Sequence, residues 1–589
     1  MKITKNEEIA ENLNNFFSDI ITNLKIPQYK DPTTNAENIT DPVFKAIEKY
    51  KNHPSIKLIK NHYNNDNNLF SFHSVSLEEI EKELKNLDPS KASQNTDIPT
   101  KIIHQNLDLF APKVHQEMNQ SLDQDKFPST MKLANITPAF KKNDRTNKEN
   151  YRPISILPNI SKVFEKCIYK QLAIYFETIF SKHQCGFRKG LNAQHCLIRL
   201  IEKWRECIDQ GLEFGSLLTD LSKAFDCLPH DLLIAKLKAY GVDISALRLI
   251  YDYLTNRKQR TKIGNEYSRW RDILYGVPQG SILGPLLFNI FICDLFLITN
   301  DFEMANYADD TTPYVYGIDI TSVIDSLEKA GDLVFDWFKN NQMKGNEGKC
   351  HIVLSTHENV HVNIGTSQIK NSHSEKLLGI KIDSDLNFEE HISSICKKAS
   401  AKLNALARIS PYIDEGKRRL IMNAFFNSQF NYCPLTWMFH SRKLNNKINR
   451  LHERCLRITY NDNLSTFEEF LNKDNSVSIH NRKLRALAIE LFKVYTKQGP
   501  DILQDVFPIN NEARYNFRKK AHFTTRAIRT VRYGDNSLRH LGPKIWEQIP
   551  SDIKEAESVE VFKSRIKSWI PDNCPCRLCK TYIHNVGFI

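Results

Sequence analysis

Tyr307-Ala308-Asp309-Asp310 places the hardest constraint on this sequence, because two adjacent carboxylates at the tip of an apolar hairpin are costly unless a cation sits on them. The flanks Phe302–Tyr307 and Thr311–Tyr316 are rich in aromatic and β-branched residues. They predict two short strands joined by a turn over Ala308, Asp309 and Asp310. Pro313 withholds one ladder donor and asks for an edge or irregular place. Aspartate is also a common turn former, so the pair taken alone favours an ordinary acidic surface turn.

The 589 residues, 41% of them apolar, suffice for about three or four folded units with buried cores. Net charge is +12. Its placement is more telling: residues 397–460 carry 13 Lys/Arg against 3 Asp/Glu, interleaved with Phe425, Phe426, Phe430, Tyr432, Trp437 and Phe439. Such a surface suits a phosphate backbone, with a solvated helix face as the plainer alternative. The N-terminus carries Lys5, Glu7 and Glu8 instead of an export signal, so a protein of the nucleus, the cytoplasm or both, not a secreted one, is expected. The run Ile282–Ile298 includes Gly284, Pro285, Asn289 and Asp294, which predicts a buried helix and no membrane partner. Thirteen cysteines then read as reduced thiols or metal ligands.

Along the chain, residues 1–90 are rich in Asn, Lys and Glu and read as a linker or adaptor with one amphipathic helix over Ile9–Leu24. Strands are expected at Lys132–Lys142, Phe214–Thr219, Gln259–Ile263, Trp270–Tyr275 and Lys349–Ser355, with a β-unit over Val360–Ile382. Helices are expected at Ile160–Phe176, Ala193–Ile208, Asp231–Tyr240, Ile244–Thr255, from Ser281, at Ile320–Asn340, and throughout from Glu389. The order predicts an α+β core followed by a helical domain.

Asp220 ends an apolar strand, and an antiparallel arrangement would bring it beside Asp309 and Asp310. Three clustered carboxylates repel one another, and two Mg²⁺ ions would neutralise them, in the manner of paired metals for in-line phosphoryl transfer. Asp226 competes for the role, but between Phe225 and Pro229 it reads as structural or substrate-side.

Asp220-Leu221-Ser222-Lys223-Ala224-Phe225-Asp226, Gly276-Val277-Pro278-Gln279-Gly280-Ser281 and Tyr307-Ala308-Asp309-Asp310 together resemble, in order and spacing, the A, B and C motifs of reverse transcriptases. Gly186-Phe187-Arg188, Arg152-Pro153-Ile154-Ser155, Leu377-Leu378-Gly379, Asn431-Tyr432-Cys433-Pro434 and Gly542-Pro543-Lys544-Ile545-Trp546 resemble the non-LTR (LINE-type, jockey-like) retrotransposon branch. The resemblance runs from about residue 12 to the end. It implies an RNA-directed DNA polymerase with a right-hand fold of fingers, palm and thumb, plus a mostly helical C-terminal extension. The implied divisions are a linker at 1–95, fingers at 96–215, a palm at 216–388 with finger elements at about 227–265, a basic thumb at 389–470, the extension at 471–570 and a Cys-rich tail at 571–589.

The resemblance also implies roles. Asp220 and Asp309 would hold two Mg²⁺, or Mn²⁺, with Asp310 assisting and the Leu221 carbonyl as a further ligand. Phe225 would exclude a 2′-OH and so select dNTPs. Lys141, Lys142 and Arg152 would grip the triphosphate. Gln279 and Gly280 would position the nucleotide, and Gly276, Pro278 and Ser281 the template. Lys349 would protonate the leaving pyrophosphate, and Leu378 and Gly379 would grip the primer. RNA template, DNA primer and dNTPs are the implied partners. Such elements usually carry an endonuclease upstream, and no segment for one is found; a 5′-truncated copy, a partial gene model and a separate endonuclease as partner are the three readings open. A catalytically inactive nucleic-acid-binding relic of the same fold is the competing reading.

The tail offers Cys574, Cys576, Cys579 and His584, three thiolates and an imidazole for a tetrahedral Zn²⁺. The one-residue gap between Cys574 and Cys576 strains two thiolates on one ion, and reduced structural cysteines are the alternative.

Overall fold

The structure is a computed structural model that describes all residues except 1–4, 27–28, 35, 64–68, 95–96, 300, 511–521 and 580–589. It is an α+β protein of two compact units, each assembled from three separate stretches of chain. The first takes residues 1–187, 220–300 and 332–347; the second takes 188–219, 301–331 and 348–589.

The first unit is organised on a five-stranded sheet. Leu133–Phe140 pairs antiparallel with Tyr151–Ile156 and parallel with Arg257–Ile263. The Arg257–Ile263 strand also carries the short strands Glu266–Tyr267 and Arg271–Ile273. Residues 1–90, expected as a linker, contribute α-helices at Asn6–Ser18, Ile20–Leu24, Pro42–Lys49, Pro54–His62 and Leu77–Lys85. The first of these seats Leu13 and Phe17 against Ala134, Ile136 and Leu157, so its apolar stripe belongs to the sheet's core. Asn14, fully buried, donates to the Arg269 carbonyl at 2.9 Å. Exposed residues such as Asn12, Lys45, Lys57 and Lys82 lie on the outer faces of these short helices; Asp41 accepts from the Val43 and Phe44 N–H groups and Ser76 from Glu79, each capping its helix.

The apolar run from Ile282 is a buried helix, Leu283–Ile292, followed by a 3₁₀ segment Cys293–Ile298. Its one carboxylate, Asp294, is fully buried but paired: Lys236 Nζ lies at 2.6 Å and the Trp337 indole donates at 2.8 Å. That pairing explains how an ionisable group sits in so apolar a segment. Among the described residues no helix is long and apolar enough to cross a membrane.

The second unit is organised on a four-stranded antiparallel sheet in the order Glu303–Tyr307, Asp310–Gly317, Glu213–Leu218, His351–Leu354. Phe214 stacks between Trp204 and Tyr314, with ring centroids at 4.7 and 5.6 Å. Gly215 is required there because a Cβ would stand 2.8 Å from a Val323 methyl. The hairpins His361–Ile364/Ser367–Lys370 and Ser374–Leu377/Ile380–Asp383 follow. From Glu389 onward the regular elements of the described chain are helices, as expected, with long ones at Glu389–Ile409, Arg442–Tyr460 and Ile479–Tyr495. The expected division at 215/216 falls inside the Glu213–Leu218 strand.

Candidate active site

The acidic hairpin forms, with one shift from expectation. Tyr307 pairs with Asp310, so Asp310 begins its strand and the turn is Ala308-Asp309 alone. Ala308 takes φ +59, the left-handed conformation that a two-residue hairpin demands. Asn306 compensates: its buried side-chain amide donates to the Ala308 carbonyl at 2.9 Å and to the Thr311 hydroxyl at 3.1 Å. The tip is therefore braced from below, with Asp309 half-buried and Asp310 exposed.

Pro313 sits in an internal strand, not at an edge. Ser216 pairs with Tyr314, and the same register resumes where the Thr219 N–H and hydroxyl donate to the Thr311 carbonyl at 3.1 and 2.8 Å. Pro313 falls between these two points, where it has no N–H to offer, so the irregular place that its chemistry asks for lies within the ladder. The Thr219–Thr311 contact ties the end of one strand to the start of the other. Asp220 is the next residue after Thr219, and Asp310 immediately precedes Thr311.

In the first unit Asp220 leads into a short backbone bridge. Its carbonyl accepts from Asn346 N–H at 2.8 Å, and Ser222 N–H donates to the Lys344 carbonyl at 2.9 Å. These bonds flank the Leu221–Gly345 pair, so Leu221 turns its own carbonyl away from the bridge. Phe225, half-buried, stacks on Phe288 with centroids 4.5 Å apart and meets Phe187 edge-on at 5.7 Å. Two rings thus fix the orientation of the third.

The Gly276–Ser281 turn packs against the protein's own backbone. A Cβ on Gly276 (φ +76) would stand 2.7 Å from the carbonyl oxygens of Phe225 and Asp226. A Cβ on Gly280 (φ +123) would stand 2.7 Å from the Ser155 carbonyl. The close approach that both glycines visibly permit is to these two segments. Between them Gln279 accepts from Ser155 N–H at 2.7 Å through its main chain and donates to Asp226 Oδ1 at 2.7 Å through its side chain. The Ser281 hydroxyl donates to the Pro278 carbonyl and accepts from Gly284 N–H, capping the Leu283–Ile292 helix. Pro278 supplies only its carbonyl to this turn.

Sequence reasoning missed Glu165. Its fully buried carboxylate accepts from Ile282 and Leu283 N–H at 2.6 and 3.1 Å, at the start of the same helix. Burial raises its pKa, and Arg257 and these backbone donors oppose the shift. Nothing in its local sequence marks it out from a helix-surface Glu.

Lys141 and Arg152 share one face of the first sheet. Ala139 is directly opposite Arg152, and Lys141 lies two residues on, with its N–H on the Asn150 carbonyl at 2.8 Å. Partial burial lowers the pKa of Lys141, Arg152 and Lys142 lower it further, and Asp220 opposes them. Arg152, Lys142 and Asp220 therefore lie within electrostatic reach of one ammonium.

In the second unit Lys349 closes the exposed 3₁₀ turn Glu347–Lys349 just before the His351–Leu354 strand, so the strand starts two residues later than predicted. Leu378 (φ +46) and Gly379 (φ +87) form the whole turn between Ser374–Leu377 and Ile380–Asp383. The Tyr432 hydroxyl donates to the Leu378 carbonyl at 2.7 Å, and the Tyr432 ring lies against Gly379. Two motifs singled out separately in sequence are one contact. An open groove of about 1250 Å³ runs between helices Glu389–Ile409 and Arg442–Tyr460, lined by Lys397, Lys443, Lys447, Arg450 and Arg454.

Cys574, Cys576 and Cys579 come together, but with His480 of the Ile479–Tyr495 helix. His584, the expected fourth member, lies outside the described residues.

Residues 140–382 match the family model described as reverse transcriptase (RNA-dependent DNA polymerase). The chain is 28% identical over 334 residues to the RNA-directed DNA polymerase from mobile element jockey of Drosophila funebris, covering 54% of this chain and 36% of that protein. It is 27% identical over 335 residues to the jockey polymerase of Drosophila melanogaster, covering 55% and 36%. It is 29% identical over 303 residues to the probable RNA-directed DNA polymerase from transposon BS of Drosophila melanogaster, covering 48% and 32%. The matched stretch is thus about a third of the length of these relatives.

Proposed function

We propose, from a chain whose residues 140–382 are a reverse transcriptase domain, that this protein is an RNA-directed DNA polymerase of a non-LTR retrotransposon, extending a DNA 3′-OH on an RNA template with dNTPs. The observation that carries the reading is the Thr219–Thr311 clamp beside a braced acidic turn, with Asp220, Asp309 and Asp310 at the flanking positions and all of them inside the matched domain.

Asp220, Asp309, Asp310 and the Leu221 carbonyl would hold two Mg²⁺, or Mn²⁺. The donor set fits: three carboxylates and a carbonyl, all hard oxygen donors, with the Leu221 carbonyl unused by its neighbouring bridge. Bound there, paired divalent ions activate the attacking 3′-oxygen and stabilise the leaving one. Lys141, Lys142 and Arg152 then bind the triphosphate, Arg152 with its planar fork. The Phe225 ring, held by Phe288 and Phe187, blocks a 2′-hydroxyl. Lys349 stabilises and protonates the departing pyrophosphate.

Gly276, Pro278, Gln279, Gly280 and Ser281 act on nucleotide and template as a turn locked onto the Phe225–Asp226 segment. Leu378 and Gly379, steadied by Tyr432, position the primer, and the basic groove holds the duplex backbone. An endonuclease activity would supply the nicked target DNA, with the protein working in the nucleus, the cytoplasm or both.

Primer extension on a homopolymer RNA with Mg²⁺ and dNTPs tests this. The wild-type protein should extend the primer, and Asp309→Ala should lose activity by ~10²-fold or more. No extension by folded wild-type protein refutes the polymerase, and equal extension by both refutes the metal site.

A further inference from the structure

Three sulfurs converge on one nitrogen in the second unit. His480 Nε2 lies 3.8 Å from Cys574 Sγ, 3.3 Å from Cys576 Sγ and 3.4 Å from Cys579 Sγ. All four candidate ligand atoms lie within 4.8 Å of one another. Hydrogen bonding does not account for this. An imidazole nitrogen has one proton or one lone pair, so it can satisfy one sulfur and leave two.

A tetrahedral ion does account for it. With Zn–S about 2.3 Å and Zn–N about 2.0–2.1 Å, tetrahedral angles put each sulfur about 3.6 Å from the nitrogen. The three observed separations bracket that value. Cys574 and Cys576 are buried, Cys579 is half-buried, and His480 is only 9% exposed. A site with four protein ligands and little access to solvent is a structural one, and three thiolates with one imidazole select zinc.

We propose that Cys574, Cys576, Cys579 and His480 form a structural Zn²⁺ site that pins the C-terminal segment to the start of the Ile479–Tyr495 helix. Two other contacts lay the segment in place: Arg485 donates to the Trp569 carbonyl at 2.8 Å, and Gln548 donates to the Asn573 carbonyl at 2.8 Å. Cys579 N–H folds back on the Cys576 carbonyl at 3.1 Å, a tight turn that lets closely spaced cysteines face one centre. This turn serves the Cys576–Cys579 spacing, and the fourth ligand comes from a helix 94 positions upstream of Cys574.

Metal analysis of the full-length protein, purified under reducing conditions, tests the proposal. The wild type should carry about one zinc per chain. Cys576→Ser and His480→Ala should lose it, while His584→Ala should keep it. His480→Cys should retain zinc with four sulfur ligands, and this variant decides the matter if His480→Ala fails to fold. Cobalt exchanged into the wild type should show thiolate charge-transfer bands and tetrahedral d–d absorption, and the d–d bands should shift in His480→Cys. Absence of zinc in the wild type together with no cobalt uptake overturns the site. Zinc retained by folded His480→Ala but lost by His584→Ala overturns the assignment of His480.

Discussion

Gln279 donates a 2.7 Å hydrogen bond to Asp226, joining the turn ahead of the Leu283–Ile292 helix to the segment that follows Asp220. The second oxygen of Asp226 is enclosed without a partner among the described residues, although the residue as a whole is only half-buried. Burial raises the carboxyl pKa from 3.8 to about 6, with Gln279 and Lys223 opposing. The folded protein therefore holds this proton where the unfolded chain has released it, and stability falls as pH rises from about 4 to about 6. Asp226→Asn should remove this component, worth at most about 3 kcal/mol, and gain on the wild type toward neutral pH. Urea unfolding of both proteins across that range checks it; parallel stability curves would refute the shifted carboxyl.

Phe225 is held by Phe288 and Phe187, so shortening it opens space where its ring stood. Phe225→Val should raise ribonucleotide incorporation relative to dNTP by roughly 10–100-fold, the discrimination that one steric contact supplies. Competitive single-nucleotide extension measures the ratio, and an unchanged ratio removes the ring from sugar selection.

Gly280→Ala places a methyl 2.7 Å from a backbone carbonyl at φ +123. Because neither the Ser155 carbonyl nor the turn is a flexible side-chain end, the variant should lose at least about 1–3 kcal/mol of stability. A fall in the urea midpoint is expected; an unshifted midpoint would mean that the turn relaxes freely.

The groove lined by Lys443, Lys447, Arg450 and Arg454 predicts a salt signature. Lys447→Ala combined with Arg450→Ala should reduce the slope of log K against log salt for duplex binding by about 1.5–2. Affinity should fall alike for every sequence. A slope equal to the wild type's would place the duplex elsewhere.

Much of the site was legible because its chemistry is local. Asp309 and Asp310 announce themselves by adjacency, and Asp220 by ending an apolar strand. What the sequence hid depends on distance along the chain. His480 looks like any helix-start histidine until it meets cysteines 94 to 99 positions away. Glu165 resembles a solvated helix acid until its carboxylate caps a helix 117 positions downstream. The N-terminal region misled for another reason: amphipathic helices of 5 to 13 residues dilute their apolar stripe in polar residues, so composition says linker where periodicity says core.

The interleaving of the two units has a consequence for synthesis. Residues 332–347 belong to the first unit and are its last stretch, so a nascent chain cannot complete that unit until residue 347 has left the ribosome. By then residues 188–219 and 301–331 have also emerged, bringing three of the four strands of the second unit's sheet but not the fourth. The strand Glu213–Leu218 waits longest for His351–Leu354, its neighbour on one side. Assembly of the sheet that carries the acidic turn is thereby deferred, and until residue 354 emerges one long edge of a buried strand stays open to wrong partners.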